Sequence, residues 1–150
     1  MEELRDIEGR PRAAWIPTAA AVVAVIGIAD SIYLTVTHFT GEPVPCNLVT
    51  GCEQVLSSAY AEFFGIPLAA FGATAYFIAF SLAVLAAFGN RLMWTLFGVQ
   101  SAIMAAFSLW LIYVQGFVIG AFCQFCLVSA ASSLTLFILF IVSRFLNRTA

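Results

Sequence analysis

Between Arg91 and Arg144 the chain carries no charged residue, a run of 52 positions, 92–143. A helix needs about 20 apolar residues to cross a bilayer once, so this run is long enough for two crossings. A second uncharged run, 63–90, has room for one more. Only 9% of the 150 residues are charged and 63% are hydrophobic. A soluble domain carries about 25% charged residues and could not hide this much apolar surface. The reading is therefore an all-α membrane protein, a four-transmembrane-helix bundle. The predicted spans are Trp15–His38, Ile66–Phe88, Leu92–Val114 and Ala121–Ser143. Pro67 is expected in the first turn of span two, where its missing N–H costs nothing. Gly89-Asn90 is expected to stop that span, and a tight turn at Gln115-Gly116 to join the last two.

The basic residues orient the bundle. There is no lysine, and the six arginines are Arg5, Arg10, Arg12, Arg91, Arg144 and Arg148. Four spans put all six on one side, which the positive-inside rule makes cytoplasmic. The long connection, 39–65, then faces outward with Glu42, Glu53 and Glu62. This predicts a multi-pass cell (inner) membrane protein with both termini cytoplasmic and residues 1–14 and 146–150 as short tails around a membrane domain at 15–145. A cleavable signal peptide is the rival reading of span one, but its apolar stretch is long and lacks a clean small-x-small site. No basic groove exists for nucleic acid. In the outward loop, Val55, Leu56, Ala59, Tyr60 and Phe63 recur at helical spacing, which predicts a short interfacial helix over EQVLSSAYAEFFG.

The four cysteines, Cys46, Cys52, Cys123 and Cys126, all fall toward the outward, oxidising side. Cys123-Gln124-Phe125-Cys126 is expected in the first turns of span four. Residues three apart share one helix face, within reach of a disulfide. The helix N-terminus favours thiolate. Cys126 should lie about 4.5 Å deeper than Cys123, one thiol toward the aqueous loop and one toward the lipid. That arrangement suits passing electrons between a soluble thiol and a lipid-soluble acceptor. Two structural disulfides are the alternative, although a bridge within one helix closes almost no loop. A four-cysteine zinc site suits C-x-x-C but not the loose C-x5-C in apolar surroundings. Haem attachment is excluded because Leu127 follows Cys126 where histidine is required. No metal is expected.

These residues resemble the vitamin K epoxide reductase family. The resemblance rests on the four spans, the loop pair C-x5-C, the run C-E-Q-V-L-S-S at Cys52–Ser58, Gly65-Ile66-Pro67, and C-x-x-C opening the last helix. It covers about 27–145. The related disulfide-bond formation protein B family places its C-x-x-C before the distant pair, whereas here the loop pair comes first. The resemblance implies that Cys123 and Cys126 form the active-site pair, with Cys126 nearest a quinone (ubiquinone, menaquinone or vitamin K). It implies that Cys46 and Cys52 form a shuttle pair, Cys46 meeting an external thiol and Cys52 exchanging with Cys123. Ser58 matches a serine that stabilises the active site, and the surface helix would shield the quinone pocket. Phe122 and Phe125 are expected as pocket walls.

Vertebrate members hydrogen-bond the vitamin K ring with a tyrosine and an asparagine where this chain has Ala130 and Leu68. The Gly65-Ile66-Pro67 run resembles the bacterial branch, which oxidises disulfide-forming proteins and reduces respiratory quinone. Many bacterial members carry a fused thioredoxin-like domain. With Ala150 just past span four, the expected partner is a separate thioredoxin-fold thiol oxidase. Vitamin K epoxide reduction of the vertebrate type, and a non-enzymatic scaffold or small transporter with structural disulfides, are the alternatives. Asp30, costing about 2.5–3.5 kcal/mol at a span centre, is expected to bond Tyr33, Thr37 or a neighbouring helix, with a proton relay as the functional alternative. His38 is expected as an interfacial residue.

Overall fold

A computed structural model describes residues 15–149. The tail with Arg5, Arg10 and Arg12 lies outside the described residues. Four helices are long and apolar enough to cross a membrane: α1 (Ile16–Thr40), α3 (Leu68–Ala87), α4 (Arg91–Tyr113) with its continuation Val114–Ile119, and α5 (Gln124–Arg148). The chain is a multi-pass membrane protein. Helix α1 packs most extensively on α3, α3 on α4, α4 on α5, and α5 back on α1, which closes a four-helix ring.

Small residues let the backbones approach, as they do where lipid supplies no hydrophobic drive between helices. Ala20, Ala24, Ala79 and Ala83 are fully buried between α1 and α3. At Gly27 a Cβ would sit 2.3 Å from the Tyr76 ring, so only glycine admits that ring. Tyr76 in turn places its hydroxyl on the Ser129 carbonyl and 2.7 Å from Ser133 Oγ of α5. Trp94 Nε1 donates to Ser143 Oγ at 2.8 Å and ties α4 to α5. Asn90 caps α4, its Oδ1 accepting from the Leu92 and Met93 amides, after Gly89 has turned the chain at φ 96°.

Three expectations need correction, all at the cysteine end. The interfacial helix is only α2 (Cys52–Leu56). Ser57 and Ser58 turn their hydroxyls back onto the Glu53 and Val55 carbonyls and compete with further helix. The chain then forms a two-residue hairpin, β1 (Glu62–Phe63) antiparallel to β2 (Ile66–Pro67), around Phe64 (φ 53°) and Gly65 (φ 78°). Pro67 is thus the N-cap of α3, in extended conformation, and not part of its first turn. His38 Nε2 meets Glu62 Oε1 at 2.9 Å and pins the hairpin to the end of α1. Finally, there is no tight turn at Gln115-Gly116. Val114–Ile119 continue α4 as a π-helical segment, and the reversal comes at Gly120 (φ 72°).

Candidate functional site

The loop pair is built first. Gly41, at φ 68°, ends α1, and an irregular segment leads to Gly51, the N-cap of α2. Cys46 and Cys52 form a disulfide, with Cα atoms 6.2 Å apart. Cys52 is buried and Cys46 only partly so.

The second pair depends on the break between α4 and α5. Irregular backbone at membrane depth survives only where protein satisfies its polar groups. Gln115, itself buried, does this: its carbonyl accepts from the Gly120 and Ala121 amides, and its Oε1 accepts from Cys123 N at 3.1 Å. Cys123 is therefore the extended N-cap of α5, one residue ahead of the helix and not inside its first turn. Cys126 lies three positions on, in that turn, half-buried. Both are thiols. The neighbouring Cys126 thiol, helped by the Phe125 and Cys126 amides and opposed by burial, draws Cys123 below the usual thiol range.

The two pairs meet in one cluster. Cys52, Val55, Ala121 and Cys123 are buried together, with Cys46, Cys126 and Phe125 packed against them. The approach is close because Gly51 lacks a side chain: a Cβ there would sit 2.8 Å from Ala121 Cβ and from the Phe122 carbonyl oxygen. Cys52 and Cys123 are buried, and Cys46 and Cys126 are partly buried. A cavity of about 650 Å³ lies between the connection of α1 to α3 and the four helices. Cys126 is on its wall and Cys123 is not. Its size is that of a small-molecule site. Leu34, Phe71, Met104 and Phe107 make it apolar, and Ser58, Gln115, Ser129 and Ser133 add a few polar groups. Such walls fit a flat, apolar ring such as a quinone.

Of the residues expected at this pocket, Ser58 and Cys126 line it, whereas Phe122 and Phe125 do not. Phe125 turns instead toward Tyr33, ring centroids 5.2 Å apart, and Phe122 is exposed beside Gly116. Asp30 bonds neither Tyr33 nor Thr37. Thr37 Oγ1 is spent on the Tyr33 and Leu34 carbonyls, and buried Asp30 Oδ2 has no hydrogen-bond partner among the described residues. Gly51, Gln115 and Tyr76 were not anticipated as site residues. A buried amide in an otherwise uncharged run was the available signal for Gln115, since such a group needs a partner.

The vitamin K epoxide reductase family model matches residues 18–141. The chain is 34% identical over 119 residues to the thiol-disulfide oxidoreductase LTO1 of Arabidopsis thaliana. The match covers 73% of this chain and 32% of that protein, so the chain spans about a third of that relative's length.

Proposed function

Because the chain belongs to the vitamin K epoxide reductase family and its function is redox chemistry in a membrane, we propose that it oxidises an external dithiol and passes the electrons to a quinone. The observation that carries this is the single cluster of four cysteines, one of which, Cys126, lines an apolar cavity. A thiolate of a thioredoxin-fold partner attacks the Cys46–Cys52 disulfide at Cys46, the more exposed sulfur, and releases Cys52. A second partner thiolate resolves the mixed disulfide and leaves both loop thiols reduced. Cys52 then attacks Cys123 of an oxidised helix pair and displaces the Cys126 thiolate. Cys46 attacks Cys52 and frees Cys123. Two electrons have then moved from loop to helix, the state with a loop disulfide and two helix thiols. The quinone takes up two electrons and two protons as the Cys123–Cys126 disulfide re-forms.

Ubiquinone, menaquinone or vitamin K fits the apolar walls. Leu68 and Ala130 both line the cavity and can donate no side-chain hydrogen bond to a ring, which favours plain quinone reduction over epoxide chemistry. Arg91 and Arg148, at the end of the bundle away from the cysteines, support a cytoplasmic face there and an extracytoplasmic cysteine end.

The test uses the purified chain, a reduced thioredoxin-fold protein and a quinone. Quinone-dependent oxidation of the protein dithiol is expected. Cys126→Ala abolishes quinone reduction. Cys46→Ala blocks the protein donor and spares a small dithiol such as dithiothreitol. Disulfides that persist whatever the quinone supply would instead support a structural role.

A further inference from the structure

Gln124 stands between the two active-site cysteines, yet its side chain reaches the shuttle loop. Its Oε1 accepts from the Leu48 amide at 3.0 Å, and its Nε2 donates to the Pro45 carbonyl at 3.3 Å. One amide thus brackets Cys46, using a donor and an acceptor as a neighbouring strand would. Among the described residues these are the hydrogen bonds that segment 42–50 makes, since the backbone bonds nearest to it belong to Gly41 and Gly51. Apart from them, the segment is tied by the Cys46–Cys52 disulfide, and that tie disappears in each turnover.

We propose that Gln124 is a positioning residue, a clasp that keeps Cys46 beside Cys52 while the loop pair is reduced. This rests on the electron route given above. In that route the Cys52–Cys123 mixed disulfide is resolved when the Cys46 thiolate attacks Cys52, forming Cys46–Cys52 and releasing the Cys123 thiolate. Cys52 is anchored by its own burial at the start of α2 and Cys123 by Gln115, so Cys46 is the mobile participant. A solvent-exposed hydrogen bond, at the low end of the usual range, biases such an equilibrium by about threefold. Loss of both is expected to lower the local concentration of Cys46 by about tenfold. The amide is suited to this because it needs no charge and works in either redox state of the loop.

The test compares the full chain with Gln124→Leu and Gln124→Glu. Under turnover with a protein dithiol and quinone, acid quenching and alkylation should trap about tenfold more Cys52–Cys123 mixed disulfide in Gln124→Leu. A merely misfolded site would trap less. In Gln124→Glu the carboxylate keeps the bond from Leu48 N–H but repels the Pro45 carbonyl, and protonation restores a donor. Its resolving rate relative to wild type should therefore rise as pH falls toward about 4.3, while the Gln124→Leu ratio stays flat. Separately, hydrogen exchange of the Leu48 amide should be about tenfold faster in Gln124→Leu than in wild type. Unchanged Leu48 exchange, or wild-type levels of mixed disulfide in Gln124→Leu, would overturn the clasp. If wild type shows no quinone-dependent turnover, the electron route fails, and Leu48 exchange still decides whether the clasp exists.

Discussion

Gly51→Ala should slow exchange between the two cysteine pairs without disturbing either pair by itself. The backbone at Gly51 has φ −101° and ψ 7°, a conformation alanine accepts, so the effect is purely steric. The added Cβ would lie 2.8 Å from Ala121 Cβ, 2.8 Å from the Phe122 carbonyl oxygen and 2.9 Å from Phe122 N. Ordinary contact begins near 3.4 Å, so the two backbones must part by about 0.6 Å. The Ala121–Cys123 side cannot recede, because Gln115 holds it through the Ala121 and Cys123 amides. The α2 side moves instead and carries Cys52 away from Cys123. Overpacking of this kind costs about 1–3 kcal/mol. Misplacement by about 1 Å can cost about a hundredfold in rate, so a shift of 0.6 Å should cost about tenfold.

The assay uses a Cys46→Ala, Cys126→Ala background, which removes both resolving thiols and should accumulate the Cys52–Cys123 bridge under mild oxidant. The bridge is scored as a cross-link between peptides after cleavage near Arg91. Gly51→Ala in that background should form it about tenfold more slowly. Gly116→Ala is the control, since its Cβ would meet only the far end of the Phe122 ring, at 3.3 Å. Equal rates for Gly51→Ala and its parent would show that the close approach at Gly51 does not set the distance between the pairs.

Two further outcomes follow. Cys123 should titrate below the ordinary thiol range in the chain whose loop disulfide is intact, and Cys126→Ala, which removes the neighbouring thiol, should move the midpoint up toward that range. Thiolate ultraviolet absorbance against pH reads both, and no upward shift would exclude Cys126 as the cause. The sign for stability is that of an acid with a lowered folded-state value. The contribution is complete above the unfolded thiol value and is lost as pH falls through the lowered folded-state value. As for orientation, a membrane-impermeant thiol reagent should label Cys46 in reduced intact cells, and labelling only after lysis would reverse the proposed sidedness.

The spans were legible because charge is so scarce: Leu92–Val114 was expected and Arg91–Tyr113 is found, with the extra segment to Ile119 beyond it. The meeting of Cys46, Cys52, Cys123 and Cys126 at one end was legible from topology alone. The connection between α1 and α3 was not. Val55, Leu56, Ala59, Tyr60 and Phe63 have helical spacing, but serine hydroxyls at 57 and 58 bond carbonyls of the preceding turn and a two-residue hairpin follows. A ladder that short leaves no alternation to read. The π segment was equally hidden, because it keeps the apolar character of the helix it extends and differs only in its hydrogen-bond spacing.

The departures from simple pattern lie where the cysteines are, and one requirement accounts for them. In the proposed electron route, two pairs in separate parts of the chain come within exchange distance with no permanent bond between them. Regular helix cannot do this, because a helix satisfies its own backbone and offers nothing to a loop. At the cysteine end the backbone is opened, and side-chain amides supply what the helix no longer does. Gln115 satisfies Cys123 N from one side, and Gln124 satisfies Leu48 N from the other. Between them Gly51 gives up its side chain so that the two backbones can touch. Each of these choices is unfavourable or neutral for an isolated helix or loop. Each becomes intelligible once the requirement is a thiol of the loop against a thiol of the helix, which is where local sequence rules are expected to yield to function.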